Sequence, residues 1–240
     1  MQTNPQSGVR PLTAIRDLIA VLAVLITVKE ILLRHETLWT YAGPISLILA
    51  LIVGVALLRS NGTSLRDIGL RWGDKKWKFV LYTVIAIIVS IVASTLISSI
   101  SASLVDVNNY TAENEKYAAR FDHITGNLPA FILWLSIGWI IGGFTEEILF
   151  RGVLINRIEA IIPFKYVGVT IAVIAQAAIF GQQHMYYQGW LGFAATGILG
   201  LLMGIMYLMF GRRLWPLIIA HGMTNTLGMT MLYLGTMPAG

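Results

Sequence analysis

The stretch "LPAFILWLSIGWIIGGFTEEILFRGVL", Leu128 to Leu154, begins as a membrane helix and ends on two adjacent carboxylates and an arginine. Leu128 to Phe150 alone is long enough to cross roughly 30 Å of hydrocarbon, which takes about 20 residues. Glu146, Glu147 and Arg151 are costly at that depth. Ionisable groups kept there face a bundle interior, pair with one another and mark functional sites.

The rest of the chain is built in the same way. Of its 240 residues 56% are hydrophobic and only 12% charged, with a mean hydropathy of +0.73. A soluble domain of this length carries about 25% charged residues. Composition therefore predicts an all-α, polytopic membrane helix bundle. The net charge of +5 is then read as cytoplasmic loop charge and not as nucleic-acid binding. The lack of cysteine excludes a cysteine nucleophile, thiolate metal sites and disulfide staples. The basic N-terminus before Leu12–Leu33 has no clear small-residue cleavage site, so that segment reads as a first transmembrane helix.

Working outward, further apolar runs fall at Tyr41–Leu58, Phe79–Leu104, Val167–Gln183, Trp190–Phe210 and Leu214–Leu234. With Leu12–Leu33 and Leu128–Phe150 this makes about seven spans. Lys29 and Glu30 inside the first can pair, snorkel or lie at an interface. The connections alternate in charge. "RSNGTSLRDIGLRWGDKKWK", "NRIEAIIPFK" and "GRR" are basic. "DVNNYTAENEKYAARFDHITGN" carries an acidic excess, and "QQHMYYQG" has neither acid nor lysine. The positive-inside rule then predicts a cytoplasmic N-terminus and an outer C-terminus. The triplets "NGT" and "NYT" match the glycosylation pattern, as three-residue patterns often do by chance. Small residues every third or fourth position in "GWLGFAATGILGLLMG" suit close helix packing in lipid.

Three polar clusters interrupt the second half: the glutamates with Arg151, "FGQQH" from Phe180 to His184, and "HGMTN" from His221 to Asn225. Glu147 and Arg151 stand four apart, so they share a helix face in the favourable acid-first order. Glu146 lies about 100° around the helix and must face something else. With a turn near Pro163–Lys165 and the fourth helix continuing toward Ile162, Glu146 and His184 are both roughly 27–30 Å from that turn, and hence level. A kink at Gly142–Gly143 would be easy. His221 fits less well: it lies only about nine residues, roughly 13 Å, from the "GRR" turn. Straight helices would leave it below His184.

Singly, each cluster has an ordinary explanation. An intramembrane His or Asn often serves only to bond helix to helix. An i,i+4 ion pair often lies at a membrane boundary. Together they point to a site. A carboxylate and an imidazole facing one water can make it a nucleophile, while the remaining His and Asn can donate to an oxyanion. Alternatively Glu146, His184 and His221 could hold a zinc ion with an open position for water, although the helical H-E-x-x-H signature is missing. Both routes lead to amide hydrolysis.

"EEILFR", "FGQQH" and "HGMTN", in this order on successive spans, resemble the E-E-x-x-x-R, F-x-x-x-H and H-x-x-x-N motifs of the CPBP family. Its members include CAAX prenyl endopeptidases and bacteriocin-processing and bacteriocin-immunity (Abi-type) membrane proteins. The resemblance covers roughly Gly142 to Gly228. It implies a core domain at 128–235 behind N-terminal spans and loops at 1–127. It also implies an intramembrane endopeptidase in which Glu146 and His184 activate water, His221 and Asn225 hold the oxyanion, and Glu147 and Arg151 orient the site. Both metallo and metal-independent, glutamate-based mechanisms are proposed for the family. The expected partners are a peptide or membrane-protein substrate and the bilayer, with no nucleic acid. The short loops suggest a prokaryotic plasma membrane. Two other classes remain open: a non-enzymatic immunity or regulatory protein that binds a membrane partner, and a proton-coupled transporter, against which the lack of an inverted repeat argues.

Overall fold

The structure, a computed structural model, describes residues 9–73, 75–104 and 115–236. The "NYT" triplet and two of the four acids of the connection before Asn127, Asp106 and Glu113, lie outside these residues. Among the described residues all regular structure is helical. Helix α1 is Pro11–Leu33, α2 Ala42–Ser60 and α3 Lys76–Leu104. A short α4 spans 115–121. Helix α5 runs unbroken over Leu128–Ile161. The helix Lys165–Met209 follows, broken at Gly189 (φ 61°, ψ −157°) into two legs, α6 (165–188) and α7 (190–209). The last helix is α8, Trp215–Tyr233.

The polypeptide is thus a bundle of apolar rods, as composition requires. Among the described residues five helices are long and apolar enough to cross a membrane, the fifth being the two-legged Lys165–Met209. Its legs pack antiparallel: Gly181 lies against Gly197, and Gly200 against Ala177 and Phe180. Gln176 Nε2 donates to the Gly200 carbonyl across the pair at 2.8 Å. The sequence reading placed a loop, "QQHMYYQG", between these spans. The chain instead reverses at one residue, whose backbone angles only glycine adopts readily. Helix α8 has the length of a span but not its apolarity, because His221, Thr224, Asn225, Thr226 and Thr230 interrupt it.

Helix α5 is the axis of the bundle. Every residue from Thr145 to Glu159 is buried, enclosed by α1, α2, α6, α7 and α8. Helix α3 packs on α7 and α8 and turns Val84, Ile88, Val92 and Leu96 outward. That four-residue spacing is a lipid-facing stripe.

The end of α5 is held from two directions. Arg157, fully buried, pairs with Asp17 of α1 at 3.0 Å. Arg212 Nη2 meets Glu159 Oε2 at 2.7 Å. The segment "NRIEAIIPFK", read from sequence as a basic connection, therefore begins as buried helix. In α1, Lys29 neither snorkels nor pairs with Glu30. It turns inward, and its Nζ donates to Gln182 Oε1 at 3.0 Å.

The turn at 211–213 lies deep. Leu214 N–H donates to the Gly69 carbonyl at 3.0 Å, and Tyr207 Oη donates to the Ile68 carbonyl at 2.8 Å. A side chain at Gly69 would collide with the Arg212 carbonyl. The loop after α2 thus supports this turn at the level of Gly152 to Asn156, well inside the α5–α6 turn. At the opposite end α4 covers the Gly189 reversal, and Phe121, Ile124 and Trp134 form a second, smaller apolar cluster there.

Candidate active site

The glutamates sit on an unusual helix. From Gly138 to Leu154 the backbone is a π-helix. Ile155 N–H closes it on the Phe150 carbonyl, five residues back, and Thr145 Oγ1 likewise reaches the Ile140 carbonyl at 2.8 Å. π segments are rare and concentrate at functional sites. Gly142 and Gly143 do not kink the chain. They remain helical and leave room for α8: a Cβ at Gly142 would overlap the Asn225 amide, and one at Gly143 would lie 3.1 Å from the Ile218 carbonyl.

Helix α8 therefore runs antiparallel along the π segment, with Asn225 beside Gly138 and Leu214 beside Gly152. This brings His221 to the glutamates. His221 Nδ1 lies 2.8 Å from Glu147 Oε1, and its Nε2 lies 3.8 Å from Glu146 Oε2. Arg151 Nη1 donates to the same Glu147 Oε1 at 3.0 Å. Arg151 is further enclosed by the Phe180 ring, at 4.7 Å, and the Gly200 carbonyl, at 3.3 Å. Glu147 and Arg151 are completely buried. Their pairing is the one expected from the four-residue spacing, while Glu146 is left facing a cavity.

The expected shortfall in the depth of His221 does not occur, and the reason is the position of the second turn. The sequence estimate measured both hairpins from turns at a common level. The 211–213 turn is instead drawn inward to Asn156, whose Oδ1 accepts from Arg212 at 3.3 Å. His221 then lies about nine residues from its turn, and Glu146 about ten from Asn156, roughly 13 and 15 Å along their helices.

His184 lies level with Glu146, as the α5–α6 hairpin implies, with Phe150 packed edge-on against Phe180 one turn away. His184 Nδ1 is 2.9 Å from the Phe180 carbonyl. A carbonyl only accepts, so Nδ1 carries the proton and Nε2 is an acceptor. Asn225 Nδ2 donates to the Gly138 carbonyl at 2.8 Å. An amide nitrogen has two N–H groups, so one remains.

Glu146, His184, His221 and Asn225 line one cavity of about 120 Å³, enough for a few water molecules. Zinc fits this arrangement poorly. Among the described residues no three His, Asp or Glu side chains stand close enough to hold an ion.

Sequence reading missed Arg120. It lies on α4, in a connection assigned as non-basic, yet it is buried and lines the cavity. Tyr117, Arg120 and Phe121 share one helix face, and that amphipathic spacing was the available signal.

Residues 128–227 match the family model for type II CAAX prenyl endopeptidase, Rce1-like. Over these residues, somewhat under half of its length, the chain is similar to the CPBP family. This is a family of intramembrane CAAX-type proteases. No curated protein and no solved structure matches the chain. The CPBP match begins at the first residue of α5 and ends within α8. It thus takes in the π segment, both hairpin legs and every polar residue anticipated for the site. Arg120, Asp17 and Lys29 come from outside it.

Proposed function

We propose that the chain is an endopeptidase in which Glu146 and His184 activate a water for attack on a peptide carbonyl. The observation that carries this reading is the shared cavity. Three helices contribute one carboxylate, two imidazoles and one amide to a water-sized space inside a membrane bundle, where unpaired polar groups are expensive.

Glu146 Oε2 has no hydrogen-bond partner among the described residues, so it is available to take a water proton. His184 Nε2 accepts from the same water and aligns its lone pair. As the water oxygen bonds to the carbonyl carbon, the carbonyl π electrons move to oxygen. The second N–H of Asn225 donates to that oxyanion. His221, its Nδ1 held by Glu147, faces the same oxyanion through Nε2. Collapse breaks the C–N bond, and the proton held by Glu146 passes to the departing amine. Glu147 and Arg151 act by orientation: the carboxylate fixes the His221 ring, and the guanidinium fixes the carboxylate.

The test is hydrolysis of a quenched peptide library by the purified full chain in nanodiscs. Glu146→Gln and His184→Ala should each lower kcat by about 100- to 10,000-fold, the usual worth of a positioned acid–base group. The rate should survive exhaustive chelation. Cleavage that persists in both variants would overturn the assignment. A biological activity of the chain retained by Glu146→Gln would point instead to the non-enzymatic immunity or regulatory class.

A further inference from the structure

We propose that Arg120 anchors a carboxylate of the substrate in the cavity it shares with Glu146, and so determines specificity. The inference rests on the peptidase reading above, but its first test does not depend on turnover.

Arg151, Arg157 and Arg212 each meet a carboxylate of the protein, Glu147, Asp17 and Glu159, at 3.0, 3.0 and 2.7 Å. Arg120 differs from these three. It is only 4% exposed, yet no carboxylate among the described residues lies within 4.0 Å of it. Its Nε has no hydrogen-bond partner among the described residues, while its Nη1 donates to the Tyr186 hydroxyl.

Aromatic faces surround it instead: Tyr187 at 4.3 Å, Trp134 at 5.1 Å, Tyr186 at 5.2 Å and Phe121 at 5.3 Å. Such faces make a buried cation tolerable without neutralising it. A guanidinium held in this way in the wall of a cavity is suited to a planar two-oxygen anion.

The position of that anion follows from charge. Glu146 lines the same cavity and repels a carboxylate, so the anion belongs beside Arg120. Gln183, 3% exposed, lines the same cavity, and its Oε1 also lacks a hydrogen-bond partner among the described residues. It can accept a peptide N–H. A chain fixed by its carboxylate on Arg120 then passes Gln183 and presents a carbonyl between Glu146 and Asn225. The carboxylate is either the free C-terminus of the peptide or an acidic side chain near the cleaved bond.

The experiment uses the full chain carrying Glu146→Gln, in nanodiscs, and a dansylated apolar tripeptide read by fluorescence anisotropy. The probe is supplied as free acid, as C-terminal amide, and as the amide with one glutamyl side chain. The free acid or the glutamyl amide should bind about 10- to 100-fold more tightly than the plain amide, as for a hydrogen bond to a charged group. Which of the two gains affinity identifies the source of the carboxylate. Adding Arg120→Gln should reduce the preference to within about 2-fold, and Arg120→Lys should keep part of it, since lysine retains the charge without the fork. Equal affinity of all three probes in the Glu146→Gln parent overturns the proposal without any change at Arg120. So does a preference undiminished by Arg120→Gln in protein with the parent's melting temperature. Absent hydrolysis by the wild type, with the carboxylate preference intact, would remove the peptidase reading and leave the Arg120 site standing.

Discussion

Glu147 Oε1 accepts from Arg151 at 3.0 Å and from His221 at 2.8 Å. One oxygen thus neutralises a buried cation and orients an imidazole. Removing one partner of such a pair strands the other charge, at a cost of about 3–5 kcal/mol. Glu147→Gln should therefore lower stability by about that amount, read from reversible unfolding in mixed micelles. Replacing both partners by Leu and Met should recover most of the loss, because no unpaired charge then remains. If Glu147→Gln were neutral, the pair would be ornamental and the orienting role would fall. The Glu147–Arg151 contact could be read from spacing alone, since it is made within one helix. The His221 contact could not, since it joins residues 74 positions apart.

At the scale of the element, two glycines decide whether the helices meet correctly. Gly142 lies against the Asn225 amide, with no room for a methyl group. Gly142→Ala should displace Asn225 by a fraction of an ångström or more and lower kcat by about 100-fold, as misplacement of a catalytic group does. Its effect on the unfolding midpoint should be much smaller, and steady-state kinetics beside a thermal melt separates the two. Gly189 works through its backbone, since φ 61° and ψ −157° are essentially confined to glycine. Gly189→Ala should destabilise the protein by about 1–3 kcal/mol, measured by the same unfolding assay. The π-helix at Gly138–Leu154 had no signature in hydrophobic pattern. A wide and a regular helix have similar apolar spacing, and the difference lies in what packs beside them.

For the whole molecule, the turns and loops fall at two ends. The loop 61–73, the 162–164 turn and the 211–213 turn share one end, and α4 and the Gly189 reversal share the other. The first end carries most of the connection arginines and lysines, which argues for a cytoplasmic face. The chain has no cysteine, so single replacements report cleanly. Ser64→Cys should react with a membrane-impermeant maleimide only from the cytoplasmic side of vesicles, and Asp122→Cys only from the other. Labelling of both from one side would refute the arrangement. In that orientation the cavity, close to α4, opens nearer the outer surface.

Sequence by itself determined that the chain is a helical membrane bundle, which helices bear the polar motifs, and that Glu147 faces Arg151. Hydrocarbon thickness fixes span length and helix periodicity fixes faces, so a local reading suffices for both. It also placed Glu146 level with His184, because the α5–α6 turn lies where the pattern ends. Only tertiary structure decided the depth of His221. That depends on a turn pulled inward by Gly69, Asn156 and Glu159, from elements distant in sequence. The same holds for Arg120 and Lys29. Each occupies a segment whose composition suggests solvent, an interface or a nearby partner, and each is buried because another helix lies over it.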